Sequence, residues 1–184
     1  TASHLQGHPD MRKTAGVDVN TGSLGQGVSI AGGLAMAAKY KGENHRVFAL
    51  VGDGEIQEGI VWEAAMSAAH YKLDNLTVIL DHNGLQIDGK LSEVCSPEPI
   101  PEKFEAFGWN VIVIDAHDFE QIADAFSKAK ACAGKPTVIV QKSVKGKGVS
   151  FMENNVSWHG SAPNDEQHAA AVAELTAVLN ELEA

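Results

Sequence analysis

A chain of 184 residues, 44% hydrophobic and 21% charged, is an ordinary globular mixture, sized for one domain with a substantial core. Fourteen basic against 24 acidic residues leave a formal charge of −10, which argues against nucleic acid or an acidic membrane as main partner and obliges an anionic substrate to find a local positive site. Cys95 and Cys132 form no disulfide framework and no metal pattern, no apolar run has transmembrane length, and the amino terminus does not read as a signal peptide, so the expected setting is a reduced cytoplasm without a membrane.

Thr1 to Asn20 shows little periodicity, holds His4, His8, Pro9 and Gly16, and reads as loop. So long a structureless opening needs something to lie against. Gly22 to Gly27 is a glycine-rich turn entering a helix predicted over Leu24 to Tyr40, with Val28, Ile30, Ala31, Leu34, Ala35 and Ala38 as its apolar face. Gly32 and Gly33 inside it cost about 1 kcal/mol each relative to alanine, which close packing against another helix would explain. A glycine turn at a helix amino terminus can hold an anion; a plain turn before an amphipathic helix is the other reading. The glycines fall as G-x-x-G-x-G with no strand before them, unlike the dinucleotide fingerprint.

Val47 to Val51 is a continuous apolar run, as expected of a strand covered on both faces. It leads into V-G-D-G-E-I-Q-E-G at Val51 to Gly59, then a helix predicted over Gln57 to Lys72. Ile60, Ala64, Ala68 and Tyr71 are expected along one face of that helix, Trp62 and Met66 on another. Glu58 and Glu63 suit its first turns, where acids favour the helix dipole. A second apolar run, Leu76 to Leu80, leads into D-H-N-G-L-Q-I-D-G at Asp81 to Gly89. Strand, turn, helix, strand is a parallel βαβ unit, so both strands end on one sheet edge. Asp53 and Asn83 then sit side by side where open α/β sheets bind ligands. A carboxylate, an amide oxygen and a free backbone carbonyl form a hard oxygen set that suits Mg2+. Gly52 and Gly54 let the backbone turn sharply and approach a ligand, here read as a magnesium-bridged diphosphate.

Val94 to Pro101, with three prolines, is loop, and Pro101 to Phe107 a short helix. Asn110 to Asp115 is a strand, and Asp118 caps a helix running to about Ala131. Thr137 to Gln141 is the last parallel strand, followed by the lysine- and glycine-rich stretch Lys142 to Ser150, expected as a phosphate-facing or gating loop. Asn164 to Glu183 is an acidic helix with Ala171, Leu175, Val178 and Leu182 as its stripe. The fold class is α/β, a doubly wound, mainly parallel sheet. Of eight histidines, His45, His70, His117 and His168 have no supporting pattern, and His82 stands beside Asn83.

G-D-G, a spacer of about thirty residues, then N-G resembles the diphosphate signature of thiamine-dependent enzymes. L-Q-G-H-P at Leu5 to Pro9, T-A-G-V at Thr14 to Val17, T-G-S-L-G-Q-G at Thr21 to Gly27, F-E-A-F-G-W at Phe104 to Trp109 and W-H-G at Trp158 to Gly160 resemble transketolases. K-G-K-G-V-S-F-M-E at Lys145 to Glu153 resembles the amino-terminal subunit of transketolases encoded as two chains. The resemblance runs in order along nearly the whole chain. It implies the thiamine diphosphate-binding fold, with thiamine diphosphate and Mg2+ as cofactors, Ca2+ being an acceptable substitute. It also implies transfer of a two-carbon ketol unit from a ketose phosphate to an aldose phosphate, together with a pyrimidine-binding partner chain. Relative to the family the chain is expected to lack the front of the diphosphate domain, to self-associate and to be inactive alone.

Matching the family residue by residue implies cofactor contacts at Gly22, Ser23, Leu24, Gly52, Asp53, Gly54, Asn83 and His159. The implied metal ligands are Asp53, Asn83 and the carbonyl of Leu85. His8 and His159 are implied to bind substrate oxygens and move protons, as imidazole does near neutral pH. Glu58, and after it Glu63, are implied to link two cofactor sites across a dimer. Ser23 stands where the family usually has proline, and Lys145 where it usually has an aliphatic residue. Two other readings compete: a deoxyxylulose-phosphate synthase or dehydrogenase E1 component, which share G-D-G…N, and a non-catalytic scaffold subunit.

Overall fold

The computed structural model describes residue 4 and residues 6–183. Thr1, Ala2, Ser3 and Leu5, part of the expected loop, and Ala184 lie outside the described residues. The rest of that loop is irregular, as expected, and is held by backbone turns and side chains. The Asp10 carbonyl accepts from the amides of Lys13 and Thr14, both at 2.9 Å, and Asn20 Oδ1 accepts from Met11 N–H at 2.7 Å.

The main sheet contains β1 (Val47–Gly52), β2 (Leu76–His82), β5 (Asn110–Asp115) and β6 (Thr137–Lys142), in the order β1-β2-β6-β5. All three pairings are parallel, with Gly52 opposite Asp81 and Asp81 opposite Gln141. Short β3 (Leu85–Gln86) and β4 (Gly89–Lys90) form a separate hairpin just beyond β2. Because every main strand runs the same way, the turns after β1, β2 and β6 meet on one edge.

Helices α1 (Gln26–Lys41), α2 (Gly59–His70) and α4 (Ile100–Ala106) cover one face of the sheet; α3 (Leu91–Val94) is a single turn after the hairpin. The main core lies there, with Val28, Ala35, Val61, Ala65, Val78, Leu80, Phe104, Val138 and Val140 almost wholly excluded from water. Trp62 packs at 5.0 Å from Phe104 and 5.4 Å from Phe107 between ring centres, and Trp109 Nε1 donates to the Ala65 carbonyl at 2.9 Å. On the other face α5 (Phe119–Ala131) packs Ala125 and Ala129 against Ile114 and Ile139. Helices on both faces make the sheet doubly wound. Asp118 caps α5 as expected, accepting from the amides of Glu120 and Gln121 at 2.9 and 3.1 Å.

Several expected faces are corrected. On α1 the buried stripe is Val28, Ala31, Ala35 and Ala38, while Ile30 and Leu34 point outward. The small residues allow α1 to lie close on the sheet, and the large ones project beyond it. On α2 the buried residues are Val61, Ala65 and Ala68, and Tyr71 is exposed. The chain after Asp53 first makes a 3-10 turn, Glu55–Gln57, which resets the phase of the helix that follows. β1 is not covered on both faces: it is an edge strand, α5 reaches only its rim, and Leu50 is 71% exposed. The final helix α6 (Asp165–Glu183) buries no residue; it is tied down by Glu174, whose carboxylate accepts from the amide and the hydroxyl of Ser150, both at 2.7 Å.

Phe104 joins α4 to both tryptophans. Phe104→Ala is expected to lower stability by about 3–5 kcal/mol in urea unfolding. A loss below about 1 kcal/mol would show that these rings do not form the structural core.

Candidate functional site

Asp53 follows β1 directly and is 1% exposed. Its Oδ1 accepts from Gly54 N–H at 2.9 Å and its Oδ2 from Gly84 N–H at 2.6 Å. The second bond spans the ends of β1 and β2, so Asp53 and Asn83 share one edge. Asn83 Oδ1 accepts from Leu85 N–H at 2.9 Å, and its Nδ2 donates to Asp81 at 3.0 Å. Gly54 faces Gln86 closely, leaving no room for a larger residue to move freely: an added Cβ would stand 3.1 Å from Gln86 Cβ.

Burial pushes the Asp53 carboxyl above its usual range; the amides of Gly84 and Gly54 and the nearby His82 pull the other way, and Asp81 adds to the rise. No cation among the described residues pairs with Asp53 by ion-pair distance. A buried carboxylate met only by two N–H groups is electrostatically unsatisfied, and a small hard cation is the partner that chemistry favours. Among the described residues no group of three or more His, Cys, Asp or Glu is placed to hold a metal. A cation here would therefore depend on mixed oxygens: the Asp53 carboxylate, the Asn83 amide oxygen and the Leu85 carbonyl. The residues present fit Mg2+ in donor type.

The glycine turn reaches this edge through a residue the sequence reasoning missed. Glu55 Oε1 accepts from Gly25 N–H at 2.9 Å and Oε2 from Gly52 N–H at 3.2 Å. One carboxylate thus ties the start of α1 to the end of β1. Gly22, Ser23 and Leu24 are exposed in that turn, with Gly22 at φ +144°. His8 lies over Gly22, where an added Cβ would stand 2.7 Å from the imidazole Cδ2. The predicted His8 and Gly22 are therefore brought together. Glu58, the residue before α2, is exposed, and its stem packs on Gly25.

His159 follows the 3-10 turn Val156–Trp158 and is exposed, with Nδ1 3.4 Å from Lys145 Nζ. Lys147, by contrast, pairs with Glu153 at 3.6 Å. His82 Nε2 stands 3.0 Å from Glu98. Also missed were Gln57, whose amide donates to Gln86 and to the Cys95 carbonyl, both at 2.6 Å, and Ser143, whose hydroxyl donates to Asp81. Glu55 and Gln57 carried a signal, polar residues inside the G-D-G-E-I-Q run; Ser143 carried none, because only strand pairing brings it near.

Gly25 has φ +79°, and a methyl there would stand 2.8 Å from both Glu58 Cβ and Ile60 Cγ2. Gly25→Ala is expected to cost at least about 1–2 kcal/mol from the left-handed backbone alone, read by thermal or urea unfolding. Wild-type stability would show that the turn adjusts freely.

A family model described as transketolase, thiamine diphosphate binding domain, matches residues 1–177. The chain is 44% identical over 171 residues to the 6-deoxy-6-sulfo-D-fructose transketolase subunit of a Clostridium species, covering 93% of this chain and 62% of that protein. It is 42% identical over 181 residues to an apulose-4-phosphate transketolase subunit of Phocaeicola vulgatus, covering 98% of this chain and 64% of that protein. The fold superposes on the crystal structure of the transketolase of Campylobacter jejuni with a TM-score of 0.87 and 37% identity, over 95% of this chain and 28% of that one. The chain thus spans less than two thirds of the length of these relatives.

Proposed function

The chain belongs to the transketolase thiamine diphosphate binding domain family, and from that membership we propose that it is the diphosphate-binding subunit of a two-chain transketolase. The reaction is transfer of a two-carbon ketol unit from a ketose phosphate to an aldose phosphate, with a second chain supplying the pyrimidine-binding half. The observation that carries the reading is the buried Asp53 carboxylate joined to the Asn83 turn at one sheet edge, in need of a cation. Both subunit relatives are named for sugars carrying an anionic group, sulfonate in one and phosphate in the other, which supports an anionic sugar here.

Asp53, the Asn83 oxygen and the Leu85 carbonyl would hold Mg2+, neutralising the diphosphate. Gly22, Ser23, Leu24, Gly52 and Gly54 present backbone to the cofactor at close range. When bound, thiamine diphosphate supplies the ylid that stabilises an acyl carbanion. His8 and His159 would bind sugar oxygens and help move protons there. Lys145 places an ammonium beside His159 in an otherwise acidic protein, a local positive charge for an anionic sugar. Glu58 is exposed at the start of α2, free to reach a second protomer. The outward side of α1 and α2, with Ile30, Leu34 and Met66 at 41%, 43% and 62% exposure, supports an interface, with a further copy or with the partner chain. Among the described residues no helix is long and apolar enough to cross a membrane; a cytoplasmic setting belongs to the same proposal.

The test is calorimetry of thiamine diphosphate with Mg2+, followed by a ketol-transfer assay with and without a pyrimidine-binding partner chain. Wild-type chain is expected to bind cofactor only with a divalent cation and to turn over only with the partner. Free cofactor at 100 times Kd should stabilise the fold by about 2.7 kcal/mol, and Asp53→Ala should lose this gain while remaining folded. Turnover by the chain alone, or wild-type cofactor affinity in Asp53→Ala, would overturn the proposal; binding without turnover beside the partner would favour a scaffold role.

The same carboxylate sets a pH dependence. A raised carboxyl titrates at higher pH than an exposed aspartate, and its neutral form is a poor cation ligand. Folding favours that neutral form, so ionised Asp53 weakens the metal-free fold at neutral pH, and the penalty fades as pH falls through the raised value. Mg2+ affinity should therefore decline on acidification earlier than a solvent-exposed aspartate would dictate. A pH series of Mg2+ titrations checks this, and a midpoint at the ordinary aspartate value would contradict it.

A further inference from the structure

We propose that Asp81, held in place by Ser143, is a positioning residue that dictates which end of the Asn83 amide faces the cation site. The inference rests on the reading of Asp53 and Asn83 as metal ligands. Asp81 lies two residues before Asn83, on β2, between β1 and β6. Its backbone carbonyl accepts from Asp53 N–H at 3.1 Å, which joins it to the neighbouring strand end. Its carboxylate takes two side-chain bonds. Oδ2 accepts from Asn83 Nδ2 at 3.0 Å, and Oδ1 accepts from the Ser143 hydroxyl. Ser143 is itself held, since its N–H donates to the His82 carbonyl at 3.1 Å.

The two ends of a carboxamide have nearly the same shape and opposite hydrogen-bonding character. A half-turn about the last side-chain bond exchanges them at little steric cost. An ionised carboxylate has acceptors only, so Asp81 accepts one end of Asn83, the NH2, and refuses the other. The oxygen is then directed away from Asp81, where it meets Leu85 N–H at 2.9 Å. A metal ligand must present oxygen, because an amide NH2 has no lone pair to offer and repels a cation. Without Asp81, only the Leu85 amide would bias the choice. The Ser143 bond crosses from β2 to the segment after its neighbour β6, so the Asp81 carboxylate is fixed from the side away from β1.

Outer partners of metal ligands typically contribute about 10–100-fold to metal affinity. The test combines Mg2+ calorimetry, in the presence of thiamine diphosphate, with NMR of the Asn83 side-chain NH2, assigned by Asn83→Asp, for which loss of that signal is the only use made. Asp81→Ala is expected to weaken Mg2+ binding by about 10–100-fold and to shift the Asn83 NH2 resonances of the metal-free protein toward those of a solvent-exposed amide. Asp81→Asn retains an acceptor but removes the charge and the exclusivity, and should fall between wild type and Asp81→Ala in both readouts. Ser143→Ala keeps the charge and should shift the NH2 signals with a smaller loss of affinity. Unfolding midpoints of the metal-free variants separate positioning from a general structural role, which would lower them together with affinity and leave no selective NH2 shift. If wild type binds Mg2+ and Asp81→Ala binds it equally well, or the Asn83 NH2 signals do not move, the inference is overturned while the functional reading stands. If wild type itself binds no Mg2+, both are overturned.

Discussion

The 2.6 Å hydrogen bond from Gly84 N–H to the Asp53 carboxylate is the contact on which the edge of this sheet depends. Parallel pairing of β1 and β2 brings the two turns near each other, but pairing ends at Gly52 and Asp81. Beyond that point one backbone bond remains between these strands, from Asp53 N–H to the Asp81 carbonyl, and side-chain acceptors take over. Asp53 holds the Asn83 turn, Glu55 holds the glycine turn before α1, and Asp81 holds Asn83 and Ser143. Three carboxylates thus organise loops from four places in the chain. The acceptors bind N–H groups that would otherwise be unpaired near the protein interior, and each such bond to a charged acceptor is stronger than a neutral one.

This solution concentrates negative charge. Asp53 is buried, and its carboxyl is raised chiefly by that burial, with Asp81 adding to it. Carboxylates gathered at one edge repel each other, and that repulsion adds to the cost of burying Asp53. Lys145, in the segment after β6, stands 3.4 Å from His159.

The two sheet faces are unequally covered. Three helices close one face with aromatic contacts, and α5 alone covers the other, leaving Phe48 and Leu50 of β1 exposed. α6 is attached through polar bonds at Ser150 and through Leu175 near Gly148, its remaining apolar residues facing outward. Exposed apolar area of this extent is characteristic of surfaces that meet other protein. More than a third of each subunit relative lies outside the matched stretch.

The βαβ unit was legible in the amino-acid sequence because both of its strands are mainly apolar runs leading into glycine-bearing acidic turns, and local pattern suffices for that. The same logic placed Asp53 and Asn83 on one edge, and the order of motifs identified the family. The cap at Asp118 was also legible, being a contact between residues two and three apart. Local pattern failed where burial is decided by neighbours distant in the chain. Ile30 and Leu34 look as apolar as Val28, but only docking of α1 on the sheet decides which of them is inside. Leu50 looks like any residue of a central strand, yet β1 lies at the edge. Asp81 and Ser143 are 62 residues apart and meet because β2 pairs with β6. Periodicity and turn chemistry act over a few residues, so the sequence by itself determined the elements and the side chains at their ends. Strand order, and with it the distant partners those side chains meet, is a property of the packed sheet, and only the tertiary structure decided it.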